Sequence, residues 1–129
     1  MAMVRQLYHF IMRYQGAMYG LSLLLALIIS VLSLTPLDEL PEVPGGDKLH
    51  HFIAYGALAF PTAFIRSRYL VGLTLLYLIL GGGIELIQPY VNRYGEWRDF
   101  AANAGGTALG TAGGLVLSSF SRTHSGTKK

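Results

Sequence analysis

Three short blocks hold most of the side chains in this sequence that could do chemistry. The first is Asp47-Lys48 followed by His50 and His51; on a helix, Asp47 and His51 stand one turn apart on one face. The second is Glu85 with Gln88, inside an otherwise apolar run. The third holds Arg93, Glu96, Arg98, Asp99 and Asn103, with Asp99 and Asn103 again one turn apart. His51 oriented by Asp47 has the makings of a general base, and Glu85 of an acid, acting on a phosphoester or amide. Such chemistry would need a water nucleophile or a metal, for which Asp47, His51 and Glu85 are possible ligands, because the chain has no cysteine and no serine in a recognisable catalytic motif. No HExxH-type spacing marks a metal site, so no cofactor is assigned. The acidic residues do offer oxygen donors for a divalent cation bridging to a diphosphate.

The same residues also suit binding without turnover. Lys48 and Arg93 would contact phosphate, while His51, Glu85, Asp99 and Asn103 would shape a pocket and hydrogen-bond sugar or amide groups. Purely structural readings stand beside these. Asp47 is a good helix cap, and Glu85 can orient helices through an internal ion pair.

These blocks are spaced by segments that the sequence reads as membrane helices. Charged residues make up 13% of the 129, roughly half the usual share of a soluble domain, against 52% hydrophobic. The basic residues form no groove-tracking patch, which argues against nucleic acid. Apolar runs predict helices over 16–34, 49–65, 69–88 and 100–120 in a single all-α domain covering 1–129. A cleaved signal peptide, with Arg5 and Arg13 as its basic flank, is the alternative for the first run, but the run exceeds the usual apolar core of such a peptide and no small-x-small cleavage site follows it. Pro61 is expected to kink the second helix rather than end it. On the fourth, Gly106, Gly110 and Gly114 continue the face of Asp99 and Asn103 as a small-residue ladder for close packing, within the chain or between chains.

Charge predicts the orientation. With both termini inside, Arg5, Arg13, Arg66, Arg68, Arg122, Lys128 and Lys129 are cytoplasmic, and only Lys48, Arg93 and Arg98 lie outside. The three polar blocks then share the outer face. The expected architecture is an integral membrane four-helix bundle, N-in and C-in.

The segments DKLHHFIAYGALAF (47–60), GGGIELIQPYVNR (81–93) and WRDFAANAGGTALG (97–110) resemble the VanZ-like family of small bacterial membrane proteins. The resemblance covers residues 47 to 110 and falls on Asp47, Lys48, His51, Glu85, Gln88, Arg93, Asp99 and Asn103. It implies a multi-pass protein of the bacterial cytoplasmic membrane with a role in the cell envelope and in susceptibility to teicoplanin-type glycopeptides. Three functions are therefore expected to compete. One is a site for an envelope lipid head group or lipid-linked precursor. Another is a membrane hydrolase or transferase using His51, Asp47 and Glu85. The last is an accessory subunit or homo-oligomer, or part of a larger membrane complex, packed through the glycine face.

Overall fold

The computed structural model describes residues 2–36 and 46–123, apart from the side chain of Asp47, and its regular structure is all helical. Five α-helices follow in order: α1 (Ala2–Arg13), α2 (Gln15–Leu34), α3 (Asp47–Phe64), α4 (Leu70–Ile87) and α5 (Trp97–Thr123). A short 3-10 turn, Gln88–Val91, extends α4. The four apolar runs map onto α2 to α5 with their ends moved by a few residues. α1 is additional to the sequence expectation.

α1 forms because its apolar residues recur at helical spacing. Tyr8 is buried against Phe64 and Ile65, with Ile11, Met12, Met18 and Tyr19 packed around them. Met3, Leu7 and Phe10 remain exposed on a neighbouring stripe. Arg5, His9 and Arg13 lie on the opposite arc of the helix.

The glycine ladder sets the centre of the molecule. A Cβ on Gly106 would collide with the backbone of Phe52, and one on Gly110 with the backbone of Gly56. At Gly114 it would lie 2.8 Å from the Phe60 carbonyl oxygen and from the Ala63 Cβ. Successive glycines thus meet successive turns of α3 in the same chain direction. α3 and α5 run parallel, backbone against backbone, and the ladder is occupied within the chain. Its packing is therefore intrachain, and this face is not open to a second copy.

α3 is the most enclosed helix. Tyr55, Leu58, Ala59, Thr62 and Ala63 are each 1% exposed or less. Pro61 lies inside α3 and does not end it: the helix runs on to Phe64. Ser22 of α2 donates to the Leu58 carbonyl at 3.0 Å, and Thr62 meets Tyr77 of α4 at 3.1 Å between hydroxyls. Arg66, in a left-handed turn (φ 51°), ties the α3–α4 corner to the far end of α5 through the Leu115 carbonyl at 3.2 Å and Ser118 at 3.3 Å.

α2 and α4 flank this pair with their apolar surface outward. Two helical segments, Gln15–Leu34 and Leu70–Val91, are long and apolar enough to cross a membrane, and only 11% and 22% of those stretches is buried. A core helix of a soluble domain would bury far more of such a surface. α3 and α5 are less apolar because their contact is made by small and polar residues.

Candidate functional site

The site forms where α3 and α5 begin and α4 ends. Parallel packing puts His51, in the second turn of α3, beside Asn103, in the second turn of α5. Their side chains meet at 2.8 Å, His51 Nδ1 to Asn103 Oδ1. The amide oxygen accepts, so Nδ1 is the donor of this bond. α4 runs antiparallel to both and delivers Glu85 to the same place. One ligand atom from each of His51, Glu85 and Asp99 falls within 4.8 Å of the others. All three are buried, as is Asn103 at 1% exposure.

The loop before α5 closes the cluster. The backbone N–H of Glu96 donates to Glu85 Oε2 at 3.2 Å. The Glu96 carbonyl in turn accepts from Asp99 N at 3.0 Å, starting the helix. Gly95 passes so close to the Glu85 backbone that a Cβ there would collide with the Glu85 carbonyl oxygen. Lys48 reaches across from α3, with Nζ 3.2 Å from Glu96 Oε2 and 3.4 Å from Asp99 Oδ1.

Glycine also shapes the floor. A Cβ on Gly81 would stand 3.1 Å from Asn103 Nδ2 and 3.3 Å from the Tyr55 ring. Asn103 Nδ2 and the Tyr55 hydroxyl are both buried and hold no hydrogen-bond partner among the described residues. Buried polar atoms of this kind are uncommon and often mark a site.

Two residues expected at the site are engaged elsewhere. Arg93 Nη1 donates to the Leu32 carbonyl at 3.2 Å and to the Thr35 carbonyl at 2.9 Å, at the end of α2. Gln88 Nε2 donates to the Ser33 carbonyl at 3.1 Å. The last carbonyls of a helix lack intrahelical donors, so a buried guanidinium and amide satisfy them. Arg93 therefore caps α2 instead of joining His51 and Glu85. The side chain of Asp47 lies outside the described residues, and the partner seen on His51 Nδ1 is Asn103. Glu96 was grouped by the sequence without a role. Its signal was its place three residues before Asp99, where the residue that starts the helix must stand. The first apolar run does mark the end of α2 at Leu34, but nothing in it marks its last carbonyls as partners of Arg93 and Gln88.

The arrangement is a buried imidazole oriented by an amide, beside two carboxylates, with an ammonium at the rim. It can bind a cation, accept hydrogen bonds from hydroxyl or amide groups, and hold or move a proton. The chain matches no protein-family profile, no curated protein and no solved structure.

Proposed function

We propose that this chain is a multi-pass protein of the bacterial cytoplasmic membrane, of the VanZ-like kind, whose outer polar cluster binds an envelope lipid head group or lipid-linked precursor. In this reading α2 to α5 each cross the bilayer, with both termini and the Arg66–Arg68 corner inside. The apolar outward surfaces of α2 and α4 support it. So does the excess of Lys and Arg on one side. α1 lies on the inner surface, with Met3, Leu7 and Phe10 toward the acyl chains.

The observation that carries the function is the burial of His51, Glu85, Asp99 and Asn103 together at one end of an apolar helix cluster. Ionisable groups in such a place are costly and are characteristic of functional sites. Glu85, Asp99 and Asn103 hydrogen-bond sugar hydroxyls or amides of the head group. Lys48, the cation paired at the rim, contacts its phosphate. Changed susceptibility to teicoplanin-type glycopeptides follows if the bound lipid is a wall precursor.

Native mass spectrometry of the detergent-purified chain in EDTA tests this against phosphatidylglycerol and an undecaprenyl-diphosphate-linked sugar. Selective retention of one lipid, weakened at least about tenfold by Glu85→Gln or Asp99→Asn, is expected from the loss of a charge-assisted bond. Equal retention by wild type and both variants rules the reading out.

The Asn103–His51 hydrogen bond favours one second reading, a hydrolase or transferase with His51 as base. Turnover of the bound lipid that requires His51 separates it from binding alone.

A further inference from the structure

We propose that His51, Glu85 and Asp99 bind a divalent cation of the Zn2+ or Mn2+ class. One donor atom from each lies within 4.8 Å of the other two. Donors around a tetrahedral ion at about 2.1 Å stand about 3.4 Å apart, so the three need to close by at most about 1.4 Å. One imidazole and two carboxylates suit a borderline first-row ion better than Mg2+ or Ca2+, which prefer all-oxygen shells. The ion's two charges balance the two carboxylates.

The surrounding contacts are those that metal ligands need. Metal-bound histidines hold their second ring nitrogen in a hydrogen bond that fixes the tautomer, and bound carboxylates are themselves hydrogen-bonded. His51 Nδ1 donates to Asn103 Oδ1 at 2.8 Å, which directs Nε2 to the ion. Glu85 Oε2 accepts from the Glu96 backbone at 3.2 Å. Asp99 Oδ1 is 3.4 Å from Lys48 Nζ, a cation at the half-exposed rim. Thus every member of the triad is oriented by a different neighbour. Among the described residues Asn103 Nδ2 and the Tyr55 hydroxyl have no hydrogen-bond partner, and Asn103 Nδ2 packs against Gly81, one turn from Glu85, so polar donors stand beside the triad.

Three protein ligands leave a coordination position for water or a phosphate oxygen. The inference rests on reading this cluster as the functional site and names how it would engage phosphate, given that Arg93 is held at α2. The metal, not Arg93, supplies positive charge in addition to Lys48.

The test uses the full chain without a histidine tag, purified in detergent and titrated with ZnCl2 or MnCl2 alone by calorimetry, with bound metal counted by mass spectrometry. One ion per chain is expected. Affinity falls at least about 100-fold in His51→Ala and Glu85→Gln, and about 10–100-fold in Asn103→Ala, which removes only the orienting bond. His50→Ala binds as wild type. Circular dichroism checks each variant, and Asp99→Asn, which keeps the side-chain volume, replaces any that does not fold. The proposal is overturned if wild type binds no stoichiometric ion, or if His51→Ala, Glu85→Gln and Asp99→Asn all bind it unchanged. The lipid measurement is repeated with ZnCl2 or MnCl2 in place of EDTA. Lipid retention without metal binding defeats this proposal alone, and metal binding with no lipid retained in either condition defeats the lipid reading alone.

Discussion

His51 and Asn103 are joined at 2.8 Å across the seam between α3 and α5, and the seam is narrow because glycines line it. The helix packing and the candidate site are therefore one construction. Gly106 lies one turn below Asn103 in the sequence, and it brings the α3 backbone close enough for the imidazole and amide to meet. Each further consequence follows from this dependence.

Breaking the bond alone should cost modest stability. Asn103→Ala removes one interhelical hydrogen bond, and such bonds in membrane helices contribute about 0.6 kcal/mol on average and up to about 1.7. Thermal unfolding in detergent should show a small fall with helicity intact. A loss of all folded protein would mean that Asn103 organises the core rather than orienting His51.

The seam itself should be far less tolerant. Gly110→Leu drives a side chain into the backbone of Gly56, and a cost above about 4 kcal/mol is expected. Gly113 faces open space, so Gly113→Ala should be neutral or stabilise by up to about 1 kcal/mol. Yield and monodispersity of the two variants give the comparison. Equal behaviour would contradict the parallel backbone contact.

Arg93 should behave as a structural cap. Arg93→Ala leaves the Leu32 and Thr35 carbonyls without their donor, and charged hydrogen bonds of this kind contribute about 1.5–3 kcal/mol. Unfolding temperature should drop while lipid retention by the surviving folded protein stays at wild-type level. Selective loss of lipid from stable protein would return Arg93 to the site.

Much of this was legible in the sequence because helical spacing is local. The turn between Asp99 and Asn103, continued by Gly106, Gly110 and Gly114, already defines one face of α5, and Glu85 is conspicuous inside an apolar run. The partners are not local. Asp47 is the nearest candidate for His51 along the chain, whereas the bond seen on His51 Nδ1 comes from Asn103 on another helix. Arg93 and Gln88 turn toward α2 because that helix ends beside them with unsatisfied carbonyls, a fact that exists only once the helices are packed. α1 was hidden for a different reason. Its arginines read as the basic flank of the first apolar run, and its apolar arc is too short to stand out by hydropathy.

The proposed orientation is directly measurable because the chain has no native cysteine. Tyr94→Cys, at an exposed position of 80%, should react with a membrane-impermeant maleimide on intact cells. Arg68→Cys should react only after permeabilisation. The reverse pattern would place the polar cluster in the cytoplasm and remove its access to outer-leaflet ligands.

The central claim, that the buried cluster is a functional site, is tested most directly in a bacterial host. Alanine is introduced at His51, Glu85 and Asp99, and susceptibility to teicoplanin-type glycopeptides and envelope stress is scored with membrane abundance quantified. The account predicts that each change abolishes the phenotype while abundance stays near wild type. Activity that declines only in step with abundance would contradict it and leave the cluster a structural network.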